Sequence, residues 1–349
     1  MKALVFNNPR DVRYESFDDP ERTSSNGAIV NVNQCSICGS DLHIYHGDHI
    51  GSNDYGSGVE KFCVGHEFTG EVVDIGPDVH GLKVGDKVLA AAGTGCGNCA
   101  ACQTGNVSKC KLVMPFGLSN ALNGGQAELV NVPNADSTLM RIPDGISGDQ
   151  AMLLTDAAAT AYFGTSNADI KPGGTVAVVG LGPIGLIGIE LAFILGAAEV
   201  FAIDPVEERR TRATALGATT FAPGEAAHAA IAEATKGAGV TSVFEASGVK
   251  AAVDSAVGLV ARGGTLSFIG LPQPDVVLPM MALLYKNITV RAGVAPVPQL
   301  WAPLVPLFQQ GRLKADNLFT HRMPLSKGAD AYEMFDAKAD GVVKIMMTV

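Results

Sequence analysis

Four cysteines crowd into fifteen residues at Cys96, Cys99, Cys102 and Cys110, in the spacing Cys-x2-Cys-x2-Cys-x7-Cys. Four thiolates close a tetrahedral shell around Zn²⁺ and leave no position for a substrate, so such a site is structural. Gly93, Gly95, Gly97 and Gly105 give the loop freedom to wrap. An iron–sulfur cluster is the competing assignment. Its common run has a shorter last spacing and ends in Cys-Pro, whereas Lys111 follows Cys110 here. A second set of donors is sparser. Cys38 opens Cys38-Gly39-Ser40-Asp41-Leu42-His43, and His66 sits in Gly65-His66-Glu67. A thiolate and an imidazole with one further ligand would leave a fourth position open, as catalytic zinc sites do. Spacing alone does not identify that third ligand.

A third motif belongs to a different chemistry. Gly180-Leu181-Gly182-Pro183-Ile184-Gly185 follows the β-branched run Thr175–Val179 and opens an apolar helical stretch. In a dinucleotide-binding turn, Gly180 permits the tight bend, Gly182 lets backbone approach a pyrophosphate, and Gly185 lets helix and strand pack closely. The helix N-terminus then presents free N–H groups and the positive end of its dipole to the anion. Asp204 ends the next strand, where a carboxylate accepts from ribose hydroxyls and repels a 2′-phosphate, favouring NAD over NADP. Arg209 is expected over the adenosine side.

These residues require two kinds of scaffold. The first ~150 residues read as short strands and turns, with strands at 27–33, 68–75 and 84–90, the texture of a β-rich barrel-like unit. A helical pattern runs from Ser147 to about Phe163. From Thr175 strands and helices alternate: strands at 175–179, 199–203, near 219, 240–245 and 265–269, with helices to Leu195 and at 207–216, 226–235 and 251–259. That alternation predicts a doubly wound parallel α/β sheet. The last ~55 residues return to a mixed texture. Length, 349 residues, suits two domains, and 47% hydrophobic against 17% charged residues excludes a disordered chain. A net charge of -10 and the absence of Lys/Arg-rich runs argue against nucleic acid or an anionic membrane as partner. Met1–Phe6 reads as a short strand rather than a signal peptide, and the most apolar stretch, Leu186 to Ala198, is interrupted by Glu190 and too short to span a bilayer. A cytoplasmic location follows as the expectation, with thiols rather than disulfides and with Asn106-Val107-Ser108 unglycosylated. Cys35 and Cys63 are expected to be buried as small hydrophobes.

The metal-binding sets and the glycine motif occur together, in this order and at similar intervals, in one known family. On these motifs, and over essentially its full length, the chain resembles the zinc-dependent medium-chain alcohol dehydrogenases. The resemblance implies a GroES-like β-rich catalytic domain made of residues 1–159 with 296–349 returning to it. It also implies an inserted Rossmann domain at 160–295, with the active site in the cleft between them. One structural and one catalytic Zn²⁺ are implied, the latter held by Cys38, His66 and a residue in Leu154-Thr155-Asp156-Ala157-Ala158-Ala159-Thr160. Several branches of the family place Cys there and others Asp, which makes Asp156 the third ligand. Glu67 can approach the metal in some relatives, as a fourth ligand or an exchange partner for water. Asp41 matches the position that orients the ligating His. Ser40 and His43 match a hydroxyl and a surface imidazole that carry the alcohol proton outward. Thr160 matches a nicotinamide contact, and Ala246, Gly270 and Ala292 lie where relatives line the cofactor cleft with backbone. Lys344 matches a basic position near the pyrophosphate.

Hydride exchange between an alcohol, secondary or bulky primary, and NAD is the implied activity. Alternatives on the same fold are a polyol, threonine or aldehyde dehydrogenase, or a non-catalytic nucleotide-binding member; an intact Cys38, His66 and Asp156 set argues against the last. Two departures stand out. Gly39 replaces an Arg or His that some relatives direct at the pyrophosphate. The loop 44–62 is long, and its His46 and His49 are read as polar loop residues rather than ligands. That loop and 116–122 would shape the substrate pocket. Relatives associate through the sheet edge near 278–290, so a homo-oligomer is expected, a tetramer rather than a dimer.

Overall fold

The computed structural model describes residues 1–48, 61–273 and 276–349, so His49 and most of the long loop lie outside the described residues. The chain divides into two units: Met1–Ala159 with Pro296–Gln309 and Asn317–Val349, and Thr160–Ala295 with Gln310–Asp316.

In the first unit the alternation of apolar and polar residues builds a sheet. Its strands run in the order Leu139–Arg141, Lys87–Ala90, Glu67–Ile75, Ala28–Ser36, Lys344–Thr348 and Phe319–Pro324, with Leu129–Val132 also paired to Ala28–Ser36. Ala28, Val30 and Val32 point into the core while Asn31 and Asn33 face out, the period-two pattern of a half-buried strand. A second sheet joins Asp11–Ser16, Lys2–Asn8 and Phe62–Cys63. Aromatic pairs fill the core: Phe68 meets Phe116 edge-on at 5.3 Å and Phe6 stacks on Phe62 at 5.3 Å. The last strand is sewn into the middle of the larger sheet, with Met346 opposite Ser36 and Met347 opposite Cys35.

The helical stretch expected from Ser147 to Phe163 is broken. Ser147 and Gln150 form a reciprocal capping box at 3.0 and 3.2 Å, and the helix they start runs Gly148–Thr155. Asp156 then adopts φ −157°, ψ −65°, and a new helix spans Ala157–Asn167. A helix end strands its last carbonyls. Trp301 answers one of them, its indole N–H donating to the Leu154 carbonyl at 3.0 Å in a buried setting.

The second unit is a six-stranded parallel sheet ordered Thr219–Phe221, Glu199–Ile203, Thr175–Val179, Val240–Glu245, Val260–Phe268 and Thr289–Ala292. In chain order that is 3-2-1-4-5-6, the doubly wound arrangement. Val176, Ala177, Val178 and Val179 are nearly inaccessible, as expected of a strand covered on both faces. The order reverses between Thr175–Val179 and Val240–Glu245. The Ala246 amide donates to the Val179 carbonyl at 2.9 Å there.

Residues 310–316 depart from the expected return of 296–349 to the first domain. They join the second unit because the Glu190 carboxylate, on the helix Pro183–Ile194, accepts from the amides of Lys314 and Ala315 at 3.0 and 2.9 Å. Hydrogen bonds to a charged acceptor are worth roughly 1.5–3 kcal/mol. Glu190→Ala is therefore expected to lower unfolding free energy by about that amount, and amide hydrogen exchange at Lys314 and Ala315 should accelerate ahead of the rest of the unit. Unchanged protection at those two amides would remove Glu190 as the cause.

Candidate metal centres and nucleotide loop

Cys38 immediately precedes the helix Gly39–His46, and its amide donates to Asp41 Oδ2 at 2.9 Å. Glycine at position 39 has nothing around its missing side chain. His66 stands just before the strand Glu67–Ile75, and Asp156 occupies the helix break. Cys38 Sγ lies 3.3 Å from Asp156 Oδ2, and His66 Nε2 lies 3.6 Å from the same oxygen. One ligand atom from each of the three residues falls within 4.8 Å of the others. Donors bound at about 2.0–2.3 Å to a tetrahedral ion stand about 3.3–3.8 Å apart, so this trio fits a Zn²⁺ ion on three sides.

The electrostatics point the same way. Burial pushes the Cys38 thiol up from its ordinary value, and the Asp156 charge pushes it further. At His66 burial opposes protonation, but the charge of Asp41 and the neighbouring Asp156 and Cys38 side chains outweigh it and hold the imidazole well above its usual range. Anionic donors gathered out of water in this way are relieved by a divalent cation. The far ring nitrogen, His66 Nδ1, lies 3.1 Å from Asp41 Oδ1, close but not aligned for a hydrogen bond. Asp41 is in turn beside Gln126, whose Nε2 donates to the Ser36 carbonyl at 3.0 Å and whose Oε1 accepts from the Tyr332 hydroxyl at 3.0 Å. Neither Gln126 nor Tyr332 was marked by any motif; only their burial identifies them.

Ser40 Oγ is 3.2 Å from His66 Nε2, and His43 Nδ1 is 3.0 Å from Asp48 Oδ2. Both are half-buried on one helix. His46 is engaged elsewhere, 2.7 Å from Asp336.

Glu67 requires a correction. It is not a member of the ligand cluster; both its carboxylate oxygens accept from Lys344 Nζ, at 2.8 and 2.6 Å. Strand register is the reason. Ser36 lies opposite Glu67 on one side and Met346 on the other, which brings Lys344, two residues earlier, across to Glu67. The same pairing corrects Lys344, which is buried against Glu67 in the first unit instead of exposed for a pyrophosphate. Phe116 and Leu122 are also core residues, so neither is free to shape a substrate pocket.

The four-cysteine lobe is compact. Cys99 and Cys102 sulfurs are 3.5 Å apart and Cys96 and Cys102 sulfurs 4.0 Å. Zn–S bonds of about 2.3 Å at tetrahedral angles would set sulfurs about 3.8 Å apart, whereas a disulfide needs about 2.05 Å. All four ligand sulfurs lie within 4.8 Å of one another. Backbone N–H groups of Asn98 and Cys99, then Cys110, lower the Cys96 thiol to about 6, which favours the thiolate a metal requires. Burial drives Cys102 the other way, to about 12. Cys35 and Cys63 are fully buried outside both clusters, and burial raises Cys35 and pushes Cys63 up to about 12.

In the second unit Gly180 follows its strand at φ +89°, a left-handed bend, and Gly182 caps the helix that Pro183 and Ile184 begin. A Cβ at Gly185 would collide with the Gly180 carbonyl, while one at Gly182 would meet no protein atom within 4 Å. The first glycine-to-helix contact is thus packed shut and the second left clear, as a backbone cradle for a phosphate requires. Asp204 holds this loop: Oδ2 accepts from the Leu181 amide at 2.7 Å and Oδ1 from the Val206 amide at 2.8 Å. Each oxygen retains a lone pair for a hydroxyl. Arg210 donates to the carbonyls of Asp204 and Pro205 at 2.8 Å; Arg209 is half-buried on the same helix, Glu207–Ala215. Ala246, Gly270 and Ala292 lie at the carboxyl ends of their strands, the edge that also carries Gly180 and Asp204, and Thr160 lies on the helix Ala157–Asn167. Glu245, which sequence reasoning passed over, is fully buried and accepts from the amides of Ser247 and Gly248 at 2.9 Å each. Its signal was available, a carboxylate ending an apolar strand as Asp204 does.

Known proteins supply a comparison. Residues 24–144 match the alcohol dehydrogenase GroES-like domain model, and residues 183–310 match the zinc-binding dehydrogenase model. A probable zinc-binding alcohol dehydrogenase of Mycobacterium tuberculosis is 41% identical over 342 residues, covering 97% of this chain and 86% of the relative. The solved alcohol dehydrogenase from Thermus sp. ATN1 superposes with a TM-score of 0.90 at 33% identity, each chain covered in full. A putative zinc-binding dehydrogenase from Sinorhizobium meliloti, solved bound to NADP, gives 0.84 at 28% identity over 100% of this chain and 99% of that one.

Carboxylates behind a ligating imidazole typically contribute 10–100-fold to metal affinity. Asp41→Asn is expected to weaken metal retention at Cys38, His66 and Asp156 by about that factor in chelator competition, with the four-cysteine lobe unaffected. Equal losses from both sites, or from neither, would refute the role.

Proposed function

Because the chain belongs to the zinc-dependent medium-chain alcohol dehydrogenase family, we propose that this zinc-dependent alcohol oxidoreductase uses NAD and oxidises secondary or bulky primary alcohols. The observation that carries the proposal is the convergence of Cys38, His66 and Asp156 into a three-sided donor set. A closed four-donor shell would serve structure; three donors leave a side for substrate. Zn²⁺ held there supplies Lewis acidity, which lowers the pKa of an alcohol hydroxyl towards neutrality.

The chain's own residues do the rest. Cys38, His66 and Asp156 hold the ion, and Asp41 steadies the imidazole from behind. Ser40 is the hydroxyl that accepts the alcohol's proton, and the His43 imidazole, with a donor and an acceptor nitrogen, passes it outward. The loop Gly180–Gly185 would hold the pyrophosphate of a nicotinamide cofactor, which would supply hydride acceptance, the balance being alcohol and NAD⁺ to carbonyl compound, NADH and a proton. Asp204 supports NAD, since a buried carboxylate already fixed by two amides is a poor neighbour for a 2′-phosphate. The NADP bound in the Sinorhizobium meliloti relative favours the alternative reading, NADP as the cofactor.

An alcohol panel, including polyols, with NAD and NADP at fixed zinc tests both points. Turnover with NAD exceeding that with NADP is expected, and Asp204→Ala should erode the preference. Lewis acidity is worth several kcal/mol, so Cys38→Ser should lower kcat/KM by about a thousandfold. Full activity in Cys38→Ser would exclude zinc chemistry at the trio, and a preference for NADP in the unaltered protein would reverse the cofactor assignment.

The second unit also carries a surface suited to a second copy of the chain. Among the described residues Thr289–Ala292 is an edge strand of the parallel sheet, and nearby Val277, Met280, Met281, Leu284 and Tyr285 are each at least 60% exposed. Edges and apolar patches of this kind are ordinarily covered. Light scattering should report an assembly of two or four chains, and Leu284→Glu should shift it towards smaller species. A monomer at working concentration would end this assignment.

A further inference from the structure

We propose that Asp48 is a positioning residue for proton release, holding the His43 imidazole so that one ring nitrogen is ready for the incoming proton while the carboxylate balances the charge the ring acquires. The inference rests on the reading of His43 as the proton's way out. It begins with a helix end. Gly39–His46 stops at Gly47, which takes φ +84°, a left-handed conformation that suits glycine. The Gly47 amide donates to the Ile44 carbonyl and the Asp48 amide to the His43 carbonyl, each at 2.9 Å. These are the two bonds of a Schellman turn, which folds the chain back over the last turn of the helix. Asp48 is thereby tied to His43 twice, through its amide on the carbonyl and through its carboxylate, with Oδ2 3.0 Å from Nδ1. Ser40 lies three residues before His43, on the same face of the helix.

Helix stability does not account for a carboxylate in this place. The carbonyl end of a helix carries the negative pole of its dipole, so an anion there is unfavourable. An imidazole gains from it. A carboxylate accepts hydrogen bonds and donates none, so the His43 proton resides on Nδ1 and the lone pair on Nε2. Nε2 takes the proton that Ser40 hands on, and the ring becomes an imidazolium facing the carboxylate. A water molecule then removes that proton, and the ring returns to its starting tautomer. The His43 and Asp48 side chains are 21% and 39% exposed, so the pair meets solvent. Neighbouring carboxylates are engaged elsewhere. Asp41, on the same helix, accepts from the Cys38 amide. Asp336, on the helix Gly328–Ala337 packed alongside, takes His46 and Arg10 at 2.7 and 3.1 Å.

Histidine-selective isotope labelling and nitrogen NMR of the full zinc-loaded chain read the tautomer directly, the His43 signals being those lost in His43→Gln. Wild type is expected to show Nδ1 protonated and Nε2 bare. Asp48→Ala should move the ring towards the opposite tautomer, and Asp48→Glu should keep the wild-type one. Turnover of the alcohol that wild type oxidises fastest gives a second readout. A positioned proton carrier contributes about a hundredfold or more, so His43→Gln should lose about that factor in kcat and Asp48→Ala about tenfold, with KM little changed. The double variant should be no slower than His43→Gln, since Asp48 acts through the ring. The melting temperature of Asp48→Ala should not fall, because the helix end has lost an unfavourable anion. An unchanged tautomer, full turnover or a lowered melting temperature in Asp48→Ala, or additive losses in the double variant, overturns the role of Asp48. Full turnover in His43→Gln would instead overturn the proton path beneath it.

Discussion

A sulfur, an imidazole and a carboxylate packed within 4.8 Å of one another, the first two buried, form an arrangement suited to a cation. Much of the first unit answers to that constraint. Asp156 reaches Cys38 because the helix breaks beneath it, and the break is tolerable because Trp301 satisfies the Leu154 carbonyl. Cys38 is held by its amide bond to Asp41, and Asp41 in turn stands behind His66. One carboxylate thus steadies two ligands from different segments, so the sulfur and the imidazole cannot drift independently.

Carboxylates at strand ends have the corresponding role in the second unit. Asp204 binds the glycine loop through Leu181 while bending the chain at Val206, and Glu245 fastens the turn of Ser247 and Gly248. Both loops flank the point where strand order reverses, where doubly wound sheets bind ligands. Loops fixed before a nucleotide arrives lose less freedom when it binds. The cofactor preference therefore hangs on a residue that also shapes the loop, so substitutions at Asp204 act on loop order and ribose contacts together.

Much of this was legible in the sequence, for a definite reason. The strand Thr175–Val179 and its glycine turn, the parallel alternation after it, and the four-cysteine lobe are all local: a few adjacent residues state the backbone and chemistry they need. What escaped was set by register and long-range packing. No periodicity in 147–163 announces a break at Asp156, because alanine-rich helix continues on either side and the stabilising contact comes from Trp301. Glu67 looked like a ligand because it neighbours one; that it turns to Lys344 depends on two strand pairings almost 280 residues apart in sequence. Phe116 and Leu122 seemed available for a pocket until the packing of Phe68 claimed the first. Arg210 grips the Asp204 turn through two backbone carbonyls, a contact no motif announces.

These long-range contacts share an origin. Trp301, Tyr332 and Lys344 all come from the last 55 residues, and each reaches the surroundings of a metal donor: Trp301 the helix before Asp156, Tyr332 the Gln126 amide beside Asp41, and Lys344 the strand after His66. The ligands themselves lie before residue 160. A polypeptide that stopped short of the final strand would hold every metal-binding residue and lack what fixes their positions. Glu67, buried beside His66, gains its cation only when Lys344–Thr348 pairs with Ala28–Ser36, so the surroundings of the metal donors and the fold of the first unit are completed together.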